Sequence, residues 1–397
     1  MNRREFLAQS AAAAAPMFLP ARARGANDRL VFGAIGTGNR GGWLHETFQK
    51  LGAQCAAVCD VYQPHREKAR SKSPAGVKTF TNHHDLLAMP GLDFVVTATP
   101  DHHHKQMLLD ALDARLDVYQ EKPLSLNLEE SAAMVEAAKK SDRIVQIGMQ
   151  RRSMNFIRNA RQFIRDGGIG RVTMVEAAWN WHFALPLDNS ALPGELDWPL
   201  FLGSAPRRPL EPRRFRWWRG FWDYSGGNMT DQGTHLMDVV QWMTDSPPPL
   251  SATCQGMIVH AEGAEVPNIF SAAFEYPDFL AAWTLNYRSS FHHDWWITFR
   301  GEEQTMVMNR TGYQLYKEAA DSPEPWRSKA SDKPDRTVPD TDGPEAHLKN
   351  FLECVRSRQQ PNCPPEVAAN AVAGPHMANL AYRQGRKVRR DSAGNIA

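Results

Sequence analysis

The spacing of apolar residues changes character once along the chain. From Leu30 to Gly148, short unbroken apolar runs alternate with stretches whose apolar positions recur every three to four residues. The runs Leu30–Ile35, Ala56–Cys59, Asp93–Ala98, Asp117–Glu121 and Ile144–Gly148 read as strands buried on both faces. Helices are expected at Trp43–Leu51, from near Pro64, at His83–Ala88, over 102–114 and at Asn127–Lys140. That alternation predicts a doubly wound parallel sheet. After Gly148 come a helix at Asn155–Arg165, an alternating strand at Arg171–Asn180, a Pro- and Trp-rich loop at Pro186–Gly227 and a helix at Thr230–Met243. Strand-like segments follow at Ser251–His260, Ile269–Tyr276, Leu280–Tyr287, Trp295–Phe299 and Met306–Asn309. Short turns join them, so an open, mainly antiparallel sheet is expected. Residues 318–343 read as an exposed loop, and helices at Glu345–Arg356 and Glu366–Arg383 close the chain.

The first strand runs into Gly36-x-Gly38-x-x-Gly41, and a helix follows. Strand, glycines, helix is the order a dinucleotide-binding turn requires. The first glycine allows the tight turn, the second lets backbone approach a pyrophosphate, and the third lets helix and strand pack. The helix N-terminus then offers N–H groups to the phosphates. The second strand ends in Asp60, about 20 residues on, where a carboxylate can hold a ribose 2′-hydroxyl and repel a 2′-phosphate. The expected cofactor is NAD rather than NADP. The fold class is therefore α/β, with a Rossmann domain over 29–150 and a second α/β domain over 151–390.

Composition adds limits. Net charge is +2, with 42% hydrophobic and 23% charged residues. These values suit a globular chain and give no global case for nucleic acid. Residues 1–28 read as a leader and linker. Asn2-Arg3-Arg4-Glu5-Phe6-Leu7 resembles a twin-arginine signal, with a short apolar run at Ala11–Leu19 and an Ala21-Arg22-Ala23 cleavage site. The expectation is export to the periplasm, or otherwise out of the cytoplasm, through the twin-arginine machinery. That route carries folded proteins, so a nucleotide can be loaded first, held tightly and recycled in place. Of the five cysteines, Cys55 and Cys59 read as inert core thiols, and Cys354 and Cys363 could form a disulfide.

Two further motifs carry chemistry. Glu121-Lys122-Pro123 lies at the C-terminal end of a parallel strand, the edge where open α/β sheets bind ligands. Lys122 there could stand beside the nicotinamide, although a surface Lys is the default. Asp231-x-x-x-His235 places both side chains on one helix face, where the carboxylate can orient or tune the imidazole. His235 could take the proton of a carbinol while Lys122 steadies the alkoxide and keeps the imidazole neutral. A structural Asp–His pair accounts for that spacing equally well. Asp101-His102-His103-His104 reads as a helix start with Asp101 as N-cap, and no metal is expected. Gln150 and Arg152 are placed to reach substrate or to be solvated. Trp179 and Trp181 share a strand face, as core or as pocket wall. Trp217-Trp218-Arg219 and Trp222-Asp223-Tyr224 are candidates for a rim that stacks on a sugar, against the alternative that such residues fill a core.

Together Gly36-Thr37-Gly38-Asn39-Arg40-Gly41, Glu121-Lys122-Pro123 and Asp231-x-x-x-His235 resemble the Gfo/Idh/MocA superfamily. Thr99-Pro100-Asp101, Gly148-Met-Gln-Arg-Arg152, Leu196-Asp197-Trp198 and Trp218-Arg219 are similar to exported members, and the likeness spans about residues 29–390. The resemblance implies NAD(P)-linked chemistry on a sugar or polyol, with Lys122, Asp231 and His235 catalytic. It implies cofactor contacts along the glycine turn and at Asp60, Thr99, Pro100, His104, Glu121 and Lys122. It also implies a homo-oligomer built on the open sheet. The superfamily includes glycoside hydrolases that oxidise a sugar transiently with bound NAD, so hydrolysis or elimination stands as the alternative. A nucleotide-binding module without catalysis is the third reading, and the presence of Lys122, Asp231 and His235 argues against it.

Overall fold

The computed structural model describes residues 29–391 and 394–397. The leader at 1–28 lies outside the described residues.

Six strands form the first sheet: β1 (Val31–Ile35), β2 (Gln54–Cys59), β3 (Lys78–Phe80), β4 (Phe94–Thr97), β5 (Asp117–Gln120) and β6 (Val145–Ile147). They are all parallel, in the order β3-β2-β1-β4-β5-β6. The order reverses between β1 and β4. A crevice opens there at the C-terminal strand ends, because the connections leave on opposite faces. Each expected strand is present within a residue or two of its expected ends. The three-residue β3 is added; it is largely exposed and too short to carry a period. The first helix is Asn39–Lys50, starting four residues before the expected Trp43. The glycine turn itself supplies its first turn.

The second sheet contains β7 (Val172–Asn180), β8 (Ser251–Met257), β9 (Ile269–Glu275), β10 (Leu280–Asn286), β11 (Asp294–Gly301), β12 (Gln304–Asn309), β13 (Gly312–Lys317), β14 (Arg336–Pro339) and β15 (Val388–Arg389). Its order is β14-β13-β12-β11-β7-β10-β9-β8-β15. Only the β7–β10 pairing is parallel. The inward residues Val175, Ala177 and Trp179 of β7 and Trp295, Ile297 and Phe299 of β11 pack with Leu236, Met237, Val239 and Val240 of the helix Gly227–Thr244.

Three readings change. The 186–227 segment is not a plain loop: it holds the short helices Trp198–Leu202 and Pro212–Arg216 and the 3₁₀ turn Trp218–Gly220. Asp197 caps the first through Leu200 N–H (2.9 Å), and a proline opens each of the two helices, where its missing N–H costs nothing. Within 318–343, β14 pairs with β13 as an edge strand. Cys354 and Cys363 are not joined: all five thiols are free and buried, and Cys363 Sγ lies 3.2 Å from Met149 Sδ. Burial pushes the Cys55 and Cys59 thiols up to about 11 and about 12, as inert core groups require.

The closing helices, Glu345–Ser357 and Pro365–Gln384, return to the first sheet. Leu348, Phe351, Leu352 and Val355 share a core with Phe32, Phe48, Phe94 and Tyr119. Ala368, Ala371 and Val372 complete a second core with Val95, Val118 and Ile147. The Rossmann half thus draws part of its core from residues beyond 150.

Candidate functional site

The glycine turn lies at the β1/β4 crevice. Gly36 has φ +77°, and a Cβ there would come within 2.7 Å of the Ala98 carbonyl oxygen. A Cβ on Gly41 would stand 1.8 Å from Gly36 O, so only glycine lets the helix seat on the strand. No side chain caps the helix start at Gly38, and its first N–H groups are left for a ligand. Asp60 Oδ2 accepts the Thr37 N–H (2.7 Å) and Oδ1 accepts the Tyr62 N–H (2.9 Å). It pins the turn to the end of β2, and the carboxylate keeps further lone pairs for a ribose hydroxyl. Across the crevice the Thr99 hydroxyl is buried with no partner. These features fit a dinucleotide.

Arg40 and Glu121 meet each other: Nε donates to Oε1 at 2.7 Å. Glu121 Oε2 also accepts the Lys122 N–H (3.2 Å), and a Cβ on Gly148 would strike this carboxylate at 2.8 Å. Glu121 therefore sets the path of the turn that carries Lys122. His104, 1% exposed, sets Nδ1 2.6 Å from the Pro123 carbonyl and Nε2 3.0 Å from the Thr99 carbonyl, and its neutral ring donates to one of the two. It ties the Thr99-Pro100 loop to the Lys122 turn.

Lys122 Nζ donates to Asp231 Oδ1 (2.6 Å) and to the Asp231 carbonyl (2.9 Å). Arg219 Nε lies 3.1 Å from Asp231 Oδ2. Burial would raise the Asp231 carboxyl, but Arg219 and Lys122 outweigh it and hold it at about 2. The expectation that Asp231 orients His235 is corrected. Both its oxygens are taken by cations, and His235 Nδ1 has no partner. His235 is 7% exposed, and burial, then the charges of Lys122 and Arg151, hold its imidazole well below the usual histidine range. A neutral imidazole can accept a proton, and Lys122 brings the cation that keeps it neutral.

Asp101 is also corrected: its side chain caps no helix and accepts the Ser225 hydroxyl (2.7 Å), which in turn accepts the Gly227 N–H (2.9 Å). Burial, then Asp231, push Asp101 up to about 7. His102 and His103 both face the Phe201 carbonyl at 2.8 Å, as packing groups. Among the described residues, the one grouping with ligand spacing for a metal is His83, His84 and Asp110, none of which is among the site candidates.

The substrate candidates divide. Trp181 stacks on Tyr287 (5.7 Å), whose hydroxyl donates to Asn228 Oδ1 (3.1 Å) and accepts from Gln232 (3.3 Å) on the site helix. Trp218 lies under the Arg219 guanidinium at 4.1 Å. Gln150 has a buried Oε1 without a partner. Arg152, in contrast, is engaged with Asp238 (2.7 Å) over the Trp242 ring, because a buried carboxylate on the same helix claims it. Tyr224 is fully buried among Trp198, Phe201 and Phe221, a core residue and not a rim. Trp222 lines a separate cleft of about 990 Å³ with Asn127, Glu366 and Arg383. Tyr287 and Arg151 escaped the sequence reading. Tyr287 follows a strand with ordinary alternation, and Arg151 stands beside the more conspicuous Arg152.

Comparison with known proteins bears on this geometry. Residues 30–149 match the Gfo/Idh/MocA oxidoreductase family, NAD-binding Rossmann fold, and residues 166–264 match its C-terminal alpha/beta domain. The chain belongs to the Gfo/Idh/MocA oxidoreductase family. Among relatives of this family member, myo-inositol 2-dehydrogenase of Thermotoga maritima is 31% identical over 142 residues, 35% of this chain and 42% of that protein. Inositol 2-dehydrogenase of Rubrobacter xylanophilus is 29% identical over 162 residues, 40% of this chain and 45% of that protein. The matched stretch thus spans less than half of these relatives. The fold is similar to that of the WlbA dehydrogenase of Bordetella pertussis in complex with NADH and UDP-GlcNAcA. There the TM-score is 0.70 at 20% identity, covering 92% of this chain and 99% of that one. Levoglucosan dehydrogenase in complex with NADH gives a TM-score of 0.72 at 15% identity, covering 91% and 99%.

Proposed function

We propose that this protein is an exported oxidoreductase that oxidises a carbohydrate or polyol carbinol with a tightly held NAD. The observation that carries the reading is the charged group at the turn after β5: Lys122 and Arg219 on Asp231, one helical turn from a neutral, buried His235. Bound NAD supplies the hydride acceptor. The chain's own residues handle the proton and the charge. His235 takes the hydroxyl proton, a contribution of about 10²–10⁴-fold. Lys122 steadies the oxygen as it gains charge. Asp231 holds Lys122 and Arg219 in place, and Glu121 fixes the turn from which Lys122 projects.

The relatives named dehydrogenases of inositol support a carbohydrate or polyol substrate. The Arg3-Arg4 leader supports export, and export favours retention of the cofactor. Met174 and Leu280, paired across the β7–β10 ladder and exposed on the outer sheet face, support a homo-oligomer on that face. The test is to purify the exported protein without added nucleotide, denature it, and identify what is released. One NAD per chain, reduced when sugars or polyols are supplied, supports the reading. Cleavage of glycosides with no net cofactor reduction would replace it with the hydrolase reading. An empty protein with no carbohydrate-dependent reduction after NAD is added would overturn it.

A further inference from the structure

Arg151 is an arginine with no counter-ion. It lies on the 3₁₀ turn Gln150–Ser153 after β6 and is 6% exposed. Its Nη1 has no hydrogen-bond partner, and no carboxylate among the described residues pairs with it. Two carboxylates stand near enough to act on its charge, Asp294 and Asp238, and both are held by other arginines. Arg310 grips Asp294 through Nε and through Nη2 (2.9 Å), and Arg152 grips Asp238 through Nε (2.8 Å) and Nη2 (2.7 Å). What Arg151 has instead is aromatic cover: the Trp295 and Trp179 rings lie 4.0 and 5.5 Å from its guanidinium carbon. Burial, then the charge of Arg310, push it down to about 9, so it is cationic at neutral pH.

A guanidinium buried without acceptors is unfavourable unless something arrives to complete it. Its place relative to the chemistry is set by His235, on which its charge acts directly after burial and Lys122. Gln150 on the same turn and His235 opposite keep buried polar atoms, Oε1 and Nδ1, that also lack partners. Asp238 Oδ2 is also buried without a partner, but the arginines Arg151, Arg152 and Arg310 outnumber the carboxylates Asp238 and Asp294 in this group, so one positive charge is left over.

We propose that Arg151 anchors a carboxylate of the substrate, so that the substrate is an acidic sugar, an aldonate or a uronate, and not a neutral polyol. This rests on the carbohydrate reading above and narrows it. The guanidinium presents its donors as a planar fork, which a planar carboxylate meets with two parallel hydrogen bonds. Arg152 cannot serve, because Asp238 already fills its fork.

The test compares NAD-loaded wild type with Arg151→Met and Arg151→Lys. The probes are panels of aldonates and uronates, their neutral parent sugars, and glucose 6-phosphate, at matched ionic strength. Binding is read by thermal shift, and turnover by the near-ultraviolet absorbance of the reduced nicotinamide. Wild type is expected to bind one or more of the acids more tightly than the neutral parent. Arg151→Met should lose about 10- to 100-fold of that affinity, with binding of the neutral sugar and of NAD unchanged. Ligand-free Arg151→Met should melt no lower than wild type, since it removes an unpaired buried charge. Arg151→Lys should recover only part of the affinity. Equal binding of the acids by wild type and Arg151→Met, no binding of any acid by wild type, tighter binding of the phosphate ester, or loss of NAD affinity in Arg151→Met would each overturn the assignment. Arg151-dependent binding of an acid without nicotinamide reduction would leave the anchor standing and remove the oxidoreductase reading.

Discussion

In the proposed reaction His235 and Lys122 act as one unit, because the ammonium that would steady an alkoxide also helps keep the imidazole unprotonated. Lys122→Ala and His235→Ala are each expected to abolish turnover, by about 10²-fold or more, while NAD stays bound. Steady-state kinetics with a bound-nucleotide assay checks this, and full activity in either variant would remove that residue from the mechanism. Asp231 plays a different part. Its two oxygens neutralise Lys122 and Arg219 in a buried place. Asp231→Ala leaves both cations uncompensated and is expected to cost about 3–5 kcal/mol in denaturant unfolding. A loss of activity at unchanged stability would mean that the carboxylate is not the clamp described.

Two elements bring these residues together. The helix Gly227–Thr244 is buried along almost its whole length, so it shows only weak amphipathicity and its polar residues Asp231, His235 and Asp238 all lie inside. A helix of this kind places chemistry well, because every side chain is packed from several sides. The other element is the glycine turn, where Gly41 decides how closely helix Asn39–Lys50 meets β1. Gly41→Ala would put a methyl 1.8 Å from Gly36 O. The turn must open, at about 1–3 kcal/mol. Calorimetric titration should then show NAD affinity falling steeply while the second sheet, read by tryptophan fluorescence, stays folded. Unchanged NAD binding would show that the turn is not the pyrophosphate seat.

At the scale of the molecule, the C-terminal helices close the fold. Phe351 meets Phe94, Tyr119 and Phe48 at 5.2, 5.6 and 6.0 Å, and His347 bonds the Ser153 hydroxyl (2.7 Å) and the Ile147 carbonyl (2.9 Å). Phe351→Ala is expected to cost about 3–5 kcal/mol and to loosen the first sheet, although the residue lies some 200 positions beyond it; hydrogen exchange in β1 and β4 reads this. The buried histidines set the response to acid. Burial holds His103, His347 and His376 at about 4 each, and His102 and His235 are also lowered. Unfolded histidine titrates near 6.5, so between about 4 and 6.5 the unfolded chain binds more protons. Stability from these groups is complete above about pH 6.5 and is lost as pH falls toward 4. Asp101 opposes them: raised to about 7, its contribution is present at low pH and lost as pH rises through 7. His45, His83 and His104 are lowered as well and Asp238 is raised, so eight histidines stand against two aspartates and the melting temperature should drop steeply from pH 6.5 to about 4.5. A flat profile there would contradict the burial of these imidazoles.

Periodicity and turn chemistry were enough to read the parallel sheet, the second, mainly antiparallel sheet and the glycine turn, and they singled out Lys122 and the Asp231 helix, which the structure brings into contact. These are local signals: a run of apolar residues, three glycines, two residues one helical turn apart. What tertiary structure alone decided is which partner each charged group finds. Asp231 took Lys122 and Arg219 instead of His235, and Asp101 took Ser225 instead of a helix end. Asp238 took Arg152 and left its neighbour Arg151 buried and unpaired. Trp222 and Tyr224, two residues apart, went to a separate cleft and to a core. Pairing depends on distances between segments far apart in the chain, and on which carboxylate reaches a cation first. No spacing along the sequence encodes either.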